Sequence, residues 1–325
     1  MLKNYYEFVA KNNFELGLKM GKAFRRESQK RLKKQRRVRA WKQKIKWAQK
    51  FLPITKKYFP HLVEEIKGYA LGAKINFEEL WAANMEDELY NFTKCTSIIT
   101  NGGKLIGHSE DYINSAKNDI CVIKKAIGNL MIFEIYYFDT LGGNAVSINS
   151  HGIIQIVNTV FPDRNQIGVP KNILARWLSE TENPVKDGIK LKKIKKSSGY
   201  NHNFINLNGR IVNIEYTPTD VKITRPESPF FHTNHYLSAL KKFDTYNKLS
   251  SRRRYDFAKE HTDAQTSLSK MKYILGDNSS GAINSIRNRG TVGNIIIDLE
   301  KRAAYIWLLR EKNKGFVKFD LDFFR

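Results

Sequence analysis

The chain has 325 residues, of which 41% are hydrophobic and 12% aromatic, enough to build a large core, so wholesale disorder is excluded. Two cysteines, Cys95 and Cys121, exclude a disulfide-rich scaffold and fit a reducing cytosol, and no apolar run approaches the roughly 20 residues that cross a bilayer. The opening Met-Leu-Lys-Asn-Tyr-Tyr-Glu-Phe lacks the features of a signal peptide, which leaves a cytoplasmic protein as the expectation.

Charge is the strongest compositional signal: 56 Lys and Arg oppose 32 Asp and Glu, a formal +24. Between Lys19 and Lys50 about fifteen residues are basic and only Glu27 is acidic. A phosphate polymer or another anionic polymer is therefore a weak partner to expect, with Trp41 and Trp47 as stacking groups. The spacing favours a simpler reading. Val38, Trp41, Ile45, Ala48 and Leu52 recur at intervals of three and four, the stripe of a helix packed on a core with its cations in water. Pro53 ends or kinks that helix. Leu62, Ile66, Tyr69 and Ala70 form a second stripe interrupted by Gly72. Phe77, Leu80, Trp81 and Met85 form a third helix capped by Asn76. The first ninety or so residues thus read as helical.

At Cys95 the texture changes. Cys95-Thr-Ser-Ile-Ile, the turn Asn101-Gly-Gly103 and Lys104-Leu-Ile-Gly-His108 predict a β-hairpin. Strands are predicted at 120–124, 130–138, 145–149 and 153–160, then a helix after Pro170. Strands return at 204–207 and 211–216, followed by helices at 250–259 and 267–275 and a last hairpin over 293–298 and 303–309. This order predicts one α+β domain of stacked sheets with flanking helices.

Taken singly, few residues declare chemistry. Cys121 reads as core. His232-Thr-Asn-His235 lacks further ligands nearby, and the glycine pairs match no phosphate loop, so no metal is expected. Together, Cys95-Thr-Ser, Gly107-His-Ser-Glu-Asp111, Asn149-Ser-His-Gly152, Asn201-His-Asn203, His232-Thr-Asn-His235 and Asn288-Arg-Gly-Thr-Val292 say more. In this order the chain resembles the isopenicillin N acyltransferase family, also called the acyl-coenzyme A:6-aminopenicillanic acid acyltransferase family, of the N-terminal-nucleophile hydrolases. Glu15-Leu-Gly17…Gly21, Phe59-Pro-His-Leu-Val-Glu-Glu-Ile-Lys-Gly68 and Gly168-Val-Pro170 extend the likeness over nearly the whole chain.

The resemblance implies an αββα sandwich made as a precursor that cuts itself between Lys94 and Cys95. Residues 1–94 would be the helical propeptide and 95–325 the catalytic segment of one integrated domain. Cys95 would then supply both the nucleophilic sulfur and, through its freed α-amine, the base that takes the thiol proton. By the same resemblance Asp111 would orient that amine, Asn234 would donate to the oxyanion, and Arg289 would lie near the thiolate. Thr96 and Asn158 would line the substrate site, with His108 and His235 as supports. Lys94 and Ser109 depart from the family's usual Gly and Asn.

The implied activity is that of an amidohydrolase or acyltransferase acting on a linear amide through a thioester at Cys95. Its substrate would be an acylated amine, amino acid or peptide. No cofactor is required, with coenzyme A as the acyl donor if transfer is the reaction. The alternative is an inactive relative serving as a basic nucleic-acid-binding or scaffold protein.

Overall fold

The computed structural model describes residues 1–37, 39–85, 94–112, 117–245 and 249–323. Two sheets stack face to face. The larger has the order β1-β4-β5-β6-β7-β8-β9-β10, from Tyr5–Ala10 (β1) through Ile120–Ile127 (β4), Leu130–Tyr137 (β5), Val146–Asn149 (β6), Ile153–Thr159 (β7), Tyr200–Asn206 (β8) and Ile211–Tyr216 (β9) to Val221–Thr224 (β10). The smaller has the order β11-β2-β3-β12-β13-β14. It comprises Phe230–His232 (β11), Lys94–Thr100 (β2), Leu105–Asp111 (β3), Thr291–Asp298 (β12), Ala303–Leu308 (β13) and Val317–Asp320 (β14).

Alternation of side chains assigns each sheet two apolar faces, so there are three core layers. Ile99, Ile106, Ile295 and Ile297 of the smaller sheet meet Ile120, Val122, Ile135, Ile154 and Ile156 of the larger between the sheets. The outer face of the larger sheet, with Cys121, Ile123 and Tyr136, packs on helical Leu16, Met20, Ile66, Ile173 and Leu174. The outer face of the smaller sheet, with Ile98 and Ile296, packs on Ala258, Met271 and Ile274. This is the αββα order the family resemblance implies, and Cys121 is a buried strand residue as expected. No described helix is long and apolar enough to cross a membrane.

The N-terminal portion departs from the all-helical expectation. Tyr5–Ala10 is a strand, paired in parallel with β4 from Tyr5↔Val122 to Ala10↔Ile127. Its aromatic and β-branched run suits a pleated surface, but with Glu7 as its single charged residue it shows no apolar–polar alternation. The predicted basic helix is divided into Arg25–Gln35 (α2), Trp41–Gln49 (α3) and Leu52–Tyr58 (α4), and Val38 lies outside the described residues. Pro53 sits in the first turn of α4, where its missing N–H costs nothing, so it begins a helix rather than ending one. Trp41 is buried and Trp47 half-buried against Phe51, as the packed reading requires.

Gly72 does not interrupt its helix either. Pro60–Ala73 (α5) runs through Gly68 and Gly72 and crosses Asn13–Ala23 (α1) at Gly17 and Gly21. A Cβ at Gly17 would overlap the Glu65 carbonyl oxygen, and one at Gly68 would overlap that of Phe14. The glycines let two helix backbones touch. Phe77–Asn84 (α6) follows, its N-cap Asn76 accepting from Glu79 N at 3.2 Å as predicted.

The remaining helices are Lys171–Leu178 (α7), Pro184–Lys193 (α8), Leu249–His261 (α9), Leu268–Leu275 (α10) and Gly281–Asn284 (α11). Of these, α7 follows Pro170 as predicted, whereas α8 and the short strands β10, β11 and β14 were not anticipated.

Candidate active site

The hairpin β2–β3 builds the site. Its register pairs Cys95 with Glu110, Ser97 with His108, Thr96 with Ser109 and Lys94 with Asp111. Cross-strand partners share a face, so Cys95, Ser97, His108 and Glu110 point between the sheets. Thr96, Ser109 and Asp111 point toward the helices outside the smaller sheet. Cys95 is 3% exposed and borders a pocket of about 490 Å³, counted to its open mouth. Glu110, Tyr112 and Tyr137 share that wall, while Arg31, Asn172 and Tyr200 face it.

Every polar atom of Cys95 is held. Its sulfur lies 3.7 Å from Glu110 Oε2, its main-chain N–H donates to Asn234 Oδ1 at 3.0 Å, and its carbonyl accepts from Arg254 Nη1 at 2.7 Å. Arg254, fully buried on α9, also donates to Thr96 Oγ1 at 2.8 Å and Asn234 Oδ1 at 2.7 Å. The amide of Asn234 donates to the Thr159 carbonyl at 3.0 Å. Donors on one side and an acceptor on the other fix which way this amide points. Burial pushes the Cys95 thiol well up, and the carboxylates of Glu110 and Asp111 add to it. The Asp111 main-chain N–H and the Arg254 charge pull the other way without overcoming them.

A proton network lies behind the sulfur. Asn158 Oδ1 accepts from Ser97 Oγ at 2.9 Å and from the amides of Asn201 and Asn203 at 3.2 and 3.1 Å. Ser97 has then spent its hydrogen and must accept at 3.1 Å from His108 Nδ1. The other ring nitrogen, Nε2, faces Glu110 Oε2 at 2.9 Å, so one hydrogen sits between them. Tyr137 donates to Glu110 Oε1 at 2.7 Å. The Glu110 carboxyl therefore stands between thiol, imidazole and phenol.

Several expected placements are corrected. Arg289 is exposed in the turn before β12, and the guanidinium that meets Cys95 is that of Arg254. Asp111 does not hold the Cys95 nitrogen. Its carboxylate accepts from Asn288 Nδ2 at 2.5 Å and Thr291 Oγ1 at 2.6 Å on the outer face of the sheet, and Asn234 holds the nitrogen instead. Burial pushes the Asp111 carboxyl up to about 6, although Arg254, Thr291 and Asn288 all favour its charged form. Thr96, on the same outer face, binds Arg254 and does not border the pocket. Asn158 lies one layer behind the pocket, where its neighbour Thr159 is the lining residue. The backbone of Lys94 pairs with Asp111, while its side chain lies outside what the structure describes.

Both histidines of the His-Thr-Asn-His run are engaged in structure. His232 bridges the Thr233 carbonyl and Glu215 Oε1 at 2.8 and 2.9 Å, and His235 Nδ1 meets Ser251 Oγ at 2.8 Å. Sequence reasoning missed Glu110, Arg254 and Tyr137. The hairpin register would have revealed Glu110, since a turn at 101–103 places it opposite Cys95. Arg254 carried no such signal among its neighbours Arg252 and Arg253.

Residues 99–313 match the acyl-coenzyme A:6-aminopenicillanic acid acyl-transferase family. The chain belongs to that family. The match includes Glu110, Asp111, Asn234 and Arg254 and begins just after Cys95 and Thr96. The beta-alanyl-dopamine/carcinine hydrolase of Drosophila melanogaster is 27% identical over 167 residues, covering 44% of this chain and 43% of that protein. The chain therefore spans less than half the length of this relative. Among solved structures, a mutant of the conjugated bile acid hydrolase from Clostridium perfringens aligns at a TM-score of 0.45 and 12% identity. That alignment covers 71% of this chain and 92% of that one. Penicillin V acylase from Agrobacterium tumefaciens aligns at 0.45 and 10%, over 70% and 86%.

Proposed function

We propose that this family member is a cysteine amidohydrolase or acyltransferase that activates itself by cutting before Cys95. The observation that carries the reading is the threefold hold on Cys95 beside a pocket: Glu110 at its sulfur, Asn234 at its nitrogen and Arg254 at its carbonyl.

In the intact chain the Cys95 nitrogen is an amide and has no lone pair to act as a base. Glu110 takes that part. It accepts the thiol proton, the sulfur attacks the Lys94 carbonyl carbon, and the bond to the Cys95 nitrogen breaks. The nitrogen leaves with the proton returned from the Glu110–His108 pair, and water hydrolyses the resulting thioester. The products are a carboxylate at Lys94 and a free amine and thiol at Cys95.

In turnover the new amine, held by Asn234 Oδ1, takes the thiol proton in its turn. The thiolate attacks the substrate carbonyl, the amine product leaves protonated, and water or another nucleophile releases the acyl group. The second hydrogen of the Asn234 amide is directed to the oxyanion, and removal of such a donor costs about 10²–10³ in rate. The name of the Drosophila relative makes N-β-alanyl amines the first substrates to try. Release of free amine from such a compound by the wild type, and its loss in Cys95→Ser, tests the proposal. Normal turnover by Cys95→Ser sinks it.

A further inference from the structure

We propose that Cys95 Sγ, His108 Nε2 and Glu110 Oε2 form a site for a thiophilic divalent cation, Zn2+ above all, and that the bound ion holds the thiol out of reaction. The three atoms all lie within 4.8 Å of one another, with Sγ 3.7 Å and Nε2 2.9 Å from the shared carboxylate oxygen. A tetrahedral ion with bonds of about 2.3 Å to sulfur and 2.0–2.2 Å to nitrogen and oxygen would sit between them, the three side chains closing onto it. One thiolate, one imidazole and one carboxylate is a zinc-type donor set, whereas Ca2+ and Mg2+ require oxygen ligands.

The outer contacts of these ligands are already in place. Ser97 Oγ takes the Nδ1 hydrogen of His108 at 3.1 Å, which directs Nε2 inward, and Tyr137 fixes the far oxygen of Glu110 at 2.7 Å. Such partners hold a ring and a carboxylate in ligating orientation. All three ligands stand on adjacent strands with no loop between them in space, and the pocket at Cys95 and Glu110 supplies an open fourth position for water. On binding, the thiol proton and the hydrogen between His108 and Glu110 pass to solvent and the ion takes their places. The inference does not rest on Cys95 being a nucleophile, since it uses only the position of the three atoms.

The test uses the full chain stripped of metal by a chelator and desalted, with Co2+ as a spectroscopic probe. A near-ultraviolet band from thiolate-to-cobalt charge transfer is expected, and Zn2+ should abolish it at one ion per chain. Cys95→Ala should remove the band, and Ser97→Ala, which frees the His108 ring, should weaken binding about 10–100-fold. Cys121→Ser should change neither. In parallel, Zn2+ should protect Cys95 from alkylation as read by mass spectrometry, with protection reversed by chelator, which needs no variant to fold. Absence of the band in wild type, its survival in Cys95→Ala, or alkylation indifferent to Zn2+ overturns the proposal.

Discussion

Glu110→Gln separates the proposed chemistry of self-cleavage from the stability of the fold. Glutamine has the size of glutamate, and the Tyr137 and His108 contacts of Glu110 each have an answer in the amide. Its oxygen can keep the Tyr137 hydroxyl now 2.7 Å away, and its nitrogen can donate to His108 Nε2 in place of the shared hydrogen. Only the long 3.7 Å contact from the Cys95 thiol loses its acceptor, so the cost in stability should stay near ~1 kcal/mol, the scale of one exchanged hydrogen bond. What disappears is the capacity to accept the Cys95 proton. That proton is held firmly, because burial and two neighbouring carboxylates push the thiol well up. A positioned base contributes about 10²–10⁴ to a rate, which is about 2.7–5.4 kcal/mol of barrier. The assay follows intact mass from the moment of synthesis in a cell-free system, comparing the variant with wild type. Self-cleavage by Glu110→Gln within a few-fold of the wild-type rate, with the variant folded, would refute the role given to this carboxyl.

Three further perturbations test the rest of the site and its frame. Arg254→Met removes a fully buried cation with three hydrogen bonds and should cost about 3–5 kcal/mol, measured by denaturant unfolding, whereas Arg289→Ala at an exposed turn should stay within about 0.5 kcal/mol. Equal effects would contradict the assignment. Gly17→Ala forces a Cβ against the α5 backbone and should lower stability by about 1–3 kcal/mol or more; an unchanged melting temperature would show that the helices do not cross there. Asp111 titrates near 6 when folded against an ordinary value near 3.8, so between those values the native chain holds more proton than the unfolded one and stability falls as pH rises. Asp111 alone should contribute about 3 kcal/mol to that fall, fully developed above pH 6. Unfolding curves across this window should be flatter for Asp111→Asn, and an identical slope in the two proteins would refute the shift.

The fold was readable where side-chain periodicity is undisturbed. Strands β4, β5 and β7 are rich in β-branched and aromatic residues, and the β2–β3 hairpin announces itself through Asn101-Gly102-Gly103. The readings failed where a residue's usual local meaning was overruled by its tertiary setting. Gly72 breaks a helix in isolation but lets α5 touch α1 here, and Pro53 opens α4 because it falls in a first turn. The short edge strands β10 and β14 present too few residues to show alternation.

Motifs singled out Cys95, Asp111 and Asn234, but the partners of each were not legible, and Asp111 lies on the far face of its strand. Motif order says nothing of which face a side chain takes. The pleat sends Thr96 and Asp111 away from the sulfur and turns Glu110 and His108 toward it. Arg254 sits among other arginines, and only the packing of α9 on the smaller sheet distinguishes the buried one.

The central claim is that Cys95 becomes the first residue of a catalytic chain. The most direct measurement is N-terminal sequencing with intact mass on purified wild type beside Cys95→Ala. The account predicts two associated wild-type fragments, one ending at Lys94 and the other beginning at Cys95, and a single uncut chain for the variant. A wild type that remains one chain under every condition, or that is cut at another bond, would contradict it.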